Sequence, residues 1–239
     1  MASPSHPNLD EVTHVFLDVG GTLLYSDPTA PDLFHRILTA RGLRIDREAL
    51  VRLLRTPESI VTLIRPFQAG RETEFFRAIN ARVIEHLGFD SDEPLLDEIE
   101  SQFGSGVTWK PFPEVEATLD ALRDSGFRLG IISNASHSLT ETLRKLGLAR
   151  HFDTVTYSFG VGFEKPDVRI FRRAVASANA SEERSVHVGD SFEADYVGAR
   201  RAGLHAILLQ REGEPPTPCP TIRSLDALPS LLKAAHSPR

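Results

Sequence analysis

The sequence predicts an α/β protein: a parallel sheet covered by helices on both faces, with an all-helical segment inserted after the first strand. Three observations carry this. From residue 111 onward, short apolar runs alternate with amphipathic helical patterns, the arrangement that builds a covered parallel sheet. Near the N-terminus, one apolar run, HVFLDV (14–19), leads straight into the glycine turn GGTLL. Between them, residues 26–106 carry apolar side chains at three- and four-residue spacing, and no clear strand pattern interrupts them.

The elements follow in order. The first ten residues are polar and Pro-rich and read as a lead-in to the strand at 14–19. In the inserted block, Leu33, Phe34, Ile37 and Leu38 share one helical face, and Gly42 stops that helix near Arg41. Asp46 is placed to cap a second helix, with Leu50, Leu53 and Leu54 on its apolar side. Phe75, Phe76, Ile79, Val83 and Leu87 mark a third, and Leu95, Leu96, Ile99 and Phe103 a fourth. Helices are then expected at 114–125, around Leu139 to Leu146, at 168–178, at 193–202 and near 225–235. Strands are expected at 127–133, 154–157, 185–189 and 205–209, with a Pro-rich loop at 214–220.

Composition narrows the function. A hydrophobic share of 41% with net charge −6 and both signs interspersed fits a folded chain, and the absence of a basic block argues against nucleic acid. The single cysteine, Cys219, excludes an internal disulfide and reads as a free surface thiol. No apolar run approaches the ~20 residues that span a bilayer, and the N-terminus lacks a basic-then-apolar leader. The expectation is a cytoplasmic protein with no membrane partner.

In covered parallel sheets, ligands bind beyond the carboxyl ends of the strands. At those ends stand Asp18 after the first strand, Ser133 in ISNAS after the second, and Asp190 in VGDSFEAD after the fourth, with Asp195 further on. Lys165 lies in the loop FEKPD. Taken singly, each is ordinary: a strand-end Asp is commonly a turn or cap, and a Lys before Pro a solvated side chain. Together they make a coherent chemistry. Three carboxylates repel unless a cation or Lys165 joins them. Oxygen ligands suit Mg²⁺, Asp can act as a covalent nucleophile toward phosphorus, and a lysine, a hydroxyl and backbone N–H groups suit a phosphoryl group in transfer. Gly20 and Gly21 let backbone approach a ligand closely.

These residues, in this order, resemble the four motifs of the haloacid dehalogenase superfamily, and the likeness spans nearly the whole chain. DVGGTL is similar to the first motif, SNAS to the second, KPD to the third and GDSFEAD to the fourth. The resemblance implies a Rossmann-like core domain (1–25 and 107–239) and a helical cap domain (26–106) acting as a lid. It implies a phosphatase-like hydrolase acting on a small phosphorylated metabolite, with Asp18, Ser133 and Lys165 catalytic. Gly21, Thr22 and Asn134 would contact phosphate. Mg²⁺ would be held among Asp18, the Gly20 carbonyl, Asp190 and Asp195.

The family's phosphatases usually carry a second Asp two residues after the nucleophile, which protonates the leaving group. This chain has Gly20 there. General acid–base help is worth roughly 10²–10⁴ in rate, so the hydrolase is slow, favours good leaving groups, or recruits another donor such as His137 or Glu164. Two other readings stay open: a non-catalytic phosphate- and metal-binding module, and a 2-haloacid dehalogenase, whose halide needs no proton. Substrate choice is expected in the insert, with Arg65, Gln68 and Arg71 as polar candidates and Trp109 packed where the insert ends.

Overall fold

The computed structural model describes residues 9–55 and 71–236. Arg65 and Gln68 lie outside the described residues. The chain divides into two compact units, Met1–Tyr25 with Pro111–Arg239, and Ser26–Lys110. In chain order come β1 (His14–Leu17), β2 (Leu24–Asp27), α1 (Ala30–Ala40), α2 (Arg47–Arg55), α3 (Glu72–His86), α4 (Glu93–Ser105) and β3 (Thr108–Pro111). Next are α5 (Val115–Asp124), β4 (Arg128–Ser133), α6 (Leu139–Lys145), β5 (Thr154–Tyr157), the single turn α7 (Ser158–Val161) and α8 (Val168–Ser177). Then follow β6 (Ser185–Gly189), α9 (Gly198–Ala202), β7 (His205–Leu209), β8 (Thr221–Ile222) and α10 (Ala227–His236).

The first unit holds a six-stranded sheet in the order β5-β4-β1-β6-β7-β8, every neighbouring pair parallel. Side chains alternate across a strand, so β1 shows both faces at once. Val15 and Leu17 join a core with Leu119 and Leu122 of α5, Leu143 of α6, and Leu228 and Leu232 of α10. Phe16 joins the opposite core with Ile170, Phe171, Ala174 and Val175 of α8 and Ala199 and Ala202 of α9. The sheet is therefore covered on both sides, as the apolar runs require. Gly130 on β4 makes room for the Phe16 ring: a β-carbon there would stand 2.6 Å from it.

β1 ends at Leu17, two residues before the expected bound, although the Asp18 N–H still bonds the neighbouring strand β6. The helix expected at 193–202 opens instead as a π-helical turn, Phe192–Val197, before α9. There the N–H groups of Asp195 and Tyr196 both reach the Ser191 carbonyl, at 2.9 and 3.2 Å. Such widened turns occur frequently at functional sites, and here the turn carries the Asp195 carboxyl inward. Three strands have no counterpart in the sequence pattern. β8 has two residues, and β2 and β3 pair as a ribbon with mostly exposed side chains.

In the second unit the apolar faces of α1–α4 close on one core: Leu33, Phe34, Ile37, Leu38, Leu50, Leu53, Val83, Ile84, Leu95 and Ile99. Thr29 and Asp92 cap α1 and α4, the Asp92 carboxylate accepting from Leu95 N at 2.7 Å. Arg77 on α3 pairs with Glu93, Asp97 and Glu100 on α4. Phe76 leaves the expected stripe and is 40% exposed. Trp109 is also exposed rather than packed, since a two-stranded ribbon has too little face to cover an indole. Among the described residues no helix is long and apolar enough to cross a membrane.

Candidate active site

β1 delivers Asp18 at the carboxyl edge of the sheet, between β4 and β6, where the Asp18 N–H donates to the Val188 carbonyl at 2.9 Å. The chain then folds back at once. The N–H groups of Leu23 and Leu24 donate to the Val19 carbonyl at 2.9 and 2.8 Å, and that of Gly21 to Leu24 at 2.8 Å. Gly21 sits at φ +76°, and a β-carbon on it would lie 2.1 Å from Asp190 Oδ2, so only glycine fits. Gly20 has neither constraint: its φ is outside the left-handed region, and a β-carbon would meet nothing within 4 Å.

Lys165 reaches in from the loop before α8. Its Nζ donates to Asp18 Oδ1 at 2.6 Å and to Asp195 Oδ1 at 2.5 Å, and all three side chains are buried. Burial works to lower the ammonium pKa, but Asp18 and Asp195 outweigh it and hold Lys165 firmly charged. Asp195 is opposed by burial too, yet Lys165 and His187 keep it well below the usual carboxylate range. Its oxygens are fully engaged: Oδ1 also takes His187 Nε2 at 2.8 Å, and Oδ2 takes the Ser191 N–H at 3.0 Å. Gly189 is required for this approach, since a β-carbon would stand 2.2 Å from the Asp195 carboxyl carbon. Burial raises the Asp18 pKa, with Lys165 working against it.

Asp190 follows β6, its carboxyl seated against Gly21. No lysine or arginine bonds it among the described residues; the ammonium nearby is committed to the other two acids. The residue keeps an exposed surface while protein mass surrounds the carboxyl. That desolvation, followed by the charges of Asp18 and Asp195, pushes its pKa up to about 8. Asp18, Asp190 and Asp195 each offer an oxygen, all within 4.8 Å of one another. An all-oxygen set with one uncompensated carboxylate fits a hard divalent cation.

The remaining candidates divide. Ser133 ends β4 beside β1 and is buried. Asn134 spends its side chain on Lys165: Oδ1 accepts from the Lys165 N–H at 2.7 Å, and Nδ2 donates to its carbonyl at 2.9 Å. Thr22 is wholly buried and its hydroxyl has no hydrogen-bond partner among the described residues. His137 packs edge-on to Tyr157, with Nδ1 3.3 Å from the phenol oxygen. Glu164 is partly buried, which raises its carboxyl pKa. Arg71 precedes α3 and Cys219 is a partly buried free thiol, each elsewhere in the chain. His187, fully buried behind Asp195, was missed by the sequence reading, although a lone imidazole in the apolar run SVHVG is the signal that marks it.

The family model for haloacid dehalogenase-like hydrolases matches residues 12–203. The chain is 34% identical to the glyceraldehyde 3-phosphate phosphatase of Methanothermobacter thermautotrophicus, over 83% of its own length and 85% of that protein's. It is 38% identical to haloacid dehalogenase-like hydrolase domain-containing protein 3 of Bos taurus over 48% of its length; the matched stretch is 46% of that relative, about half. Its fold is similar to the crystal structure of a HAD family hydrolase from Deinococcus radiodurans R1 with bound phosphate and sodium, at TM-score 0.72 and 23% identity, covering 95% of this chain and 97% of that one.

Proposed function

The chain belongs to the haloacid dehalogenase-like hydrolases, and from that premise we propose that it is a magnesium-dependent phosphatase of a small phosphorylated metabolite, with Asp18 as nucleophile. The observation that carries this reading is the division of charge at the sheet edge. Lys165 bonds Asp18 and Asp195, while Asp190 has no cationic partner among the described residues.

In this mechanism the Asp18 carboxylate attacks phosphorus, the bond from phosphorus to the ester oxygen breaks, and an aspartyl phosphate forms. Water then attacks the same phosphorus, releasing phosphate and restoring Asp18. Lys165 keeps Asp18 oriented and charged, and offers its ammonium to the phosphoryl oxygens. Ser133 donates its hydroxyl to a second oxygen. Asn134 fixes the Lys165 backbone from both sides rather than touching phosphate with its side chain. Asp18, the Gly20 carbonyl and Asp190 would hold Mg²⁺, which when bound neutralises the repulsion between carboxylates and phosphate. Asp195, with both oxygens occupied, acts through Lys165. Gly20 supplies no proton, so a good leaving group departs as an anion, while an alkyl ester needs a proton from another donor such as His137 or Glu164. Substrate selection falls to the inserted segment. The relative matched over most of its length is named for glyceraldehyde 3-phosphate, which supports a small sugar-phosphate-like substrate.

The test is hydrolysis of p-nitrophenyl phosphate, glyceraldehyde 3-phosphate and phosphoserine, with Mg²⁺ and with excess EDTA, by wild type and Asp18→Asn. Turnover is expected for at least the aryl ester, and its loss in EDTA and in Asp18→Asn. Undiminished turnover in either condition overturns the mechanism. No turnover by folded wild type on any ester favours a binding module instead, the reading to which Gly20 lends itself.

A further inference from the structure

Arg211, two residues beyond β7, has no part in the mechanism above, yet its guanidinium is among the most fully committed groups in the first unit. Nη2 donates to the Thr22 carbonyl at 2.9 Å, Nε to the Gly21 carbonyl at 3.3 Å, and Nη1 to Glu114 Oε1 at 2.7 Å. Its plane lies over the Phe112 ring, 3.6 Å from the centroid. Arg211 and Glu114 expose only 25% and 17% of their side chains, so the pair is partly screened from solvent and worth more than a surface ion pair.

The partners explain what the clamp does. In the turn after Asp18, the N–H groups of Gly21, Leu23 and Leu24 are satisfied internally, through the Leu24 and Val19 carbonyls. The carbonyls of Gly21 and Thr22 receive no backbone donor among the described residues; Arg211 supplies theirs. Two consecutive glycines stand in that turn, and glycine peptides reorient with little steric resistance. A planar fork that grips two successive carbonyls removes that freedom, as a lysine's point charge does not. The other end of the clamp holds the returning chain. Phe112, under the guanidinium, donates its N–H to Leu23 at 3.0 Å and meets the Tyr25 ring at 5.1 Å, and Glu114 directly precedes α5.

We propose that Arg211 is a positioning residue that holds the Gly20–Thr22 turn in the shape the cation site requires and bolts it to Phe112 and Glu114. This rests on the magnesium reading above. Groups that orient a metal site from behind its ligands typically change affinity or activity by 10–100-fold when lost.

The test is calorimetric titration of Mg²⁺ into Arg211→Lys, Arg211→Gln, Glu114→Gln, Asp190→Ala and wild type, below the Tm of each, with kcat and KM on p-nitrophenyl phosphate measured alongside. Arg123→Ala is the control. Arg123 also grips a carbonyl, that of His151, and a carboxylate, Asp153, but among α5, β4 and β5 rather than at the turn. Arg211→Lys and Arg211→Gln are expected to weaken Mg²⁺ binding by roughly tenfold or more and to lower kcat with KM little changed. Glu114→Gln is expected to weaken it less, because the two carbonyl contacts remain; it serves as the second probe where an Arg211 variant does not fold. Arg123→Ala is expected to lower Tm with Mg²⁺ affinity intact. Wild-type Mg²⁺ affinity in folded Arg211 variants, or in Glu114→Gln if those do not fold, overturns the positioning role. Wild-type Mg²⁺ affinity in Asp190→Ala overturns the underlying metal reading instead, whatever the Arg211 variants do.

Discussion

Gly20 and Gly21 are neighbours with opposite tolerances. At Gly21 the left-handed φ and the Asp190 carboxyl leave no room for a side chain. Gly21→Ala is therefore expected to distort the turn, with loss of turnover and a lower Tm, both read from the purified variant. At Gly20 a β-carbon meets open space, so Gly20→Asp should fold like wild type. If the absence of an acid there limits the reaction, the variant should gain on alkyl phosphates far more than on aryl ones, by up to roughly 10²–10⁴. The check is kcat/KM for both proteins across esters of graded leaving-group pKa. A flat dependence in wild type would show that another group already donates, and His137 and Glu164 are then the residues to mutate. Behind the site, His187 Nε2 is a buried partner of Asp195. His187→Leu should lose turnover, and His187→Gln, which can still present an N–H, should recover part of it. At this scale the sequence was informative about which side chains occupy the sheet edge and poor on how they pair. Motif spacing places Asp18, Lys165, Asp190 and Asp195 near one another, but Lys165 choosing Asp18 and Asp195, and Asn134 turning to the Lys165 backbone, depend on loop paths that spacing does not encode.

Among the elements, those with a strong period were readable. β5, β6 and β7 occupy the runs expected of them, and α8 starts where Asp167 caps it and ends one residue short of the forecast. Each owes its position to side chains buried on a sheet face or a helix stripe, so period and structure have one cause. The elements that escaped are those stabilised otherwise. β2 and β3 are held by pairing to each other with exposed side chains, and β8 is two residues added to β7. The π-helical turn at Phe192–Val197 reflects an inward polar residue, Asp195, that apolar periodicity cannot register. The loop after β4 has a testable task. If Asn134 acts only by fixing Lys165, Asn134→Ala should lower kcat in wild type and cost nothing further in a Lys165→Ala background. Additive losses in that double-mutant cycle would give Asn134 a separate contact.

The described residues form separate apolar cores, two on the faces of the sheet and one among the helices of Ser26–Lys110. Ile99 is wholly buried in the last of these. Ile99→Ala is expected to destabilise by about 2–5 kcal/mol, with faster hydrogen exchange confined to Ser26–Lys110 and the sheet strands still protected. Equal loss of protection in both units would mean that they unfold as one. The β2–β3 ribbon has a consequence of another kind. The insert leaves on one strand and returns on its neighbour, with Lys110 Nζ on Asp27 Oδ2 at 2.5 Å where they run together. Its two ends are thus about one strand spacing, ~4.8 Å, apart. Whatever sequence lies between them closes the same narrow mouth, and the entropy of that closure grows only with the logarithm of its length. The ribbon therefore works as a socket. A longer, shorter or unrelated segment grafted between Asp27 and Lys110 would start and finish at the same paired strands, so the ribbon fixes where an insert begins and ends without fixing what it contains.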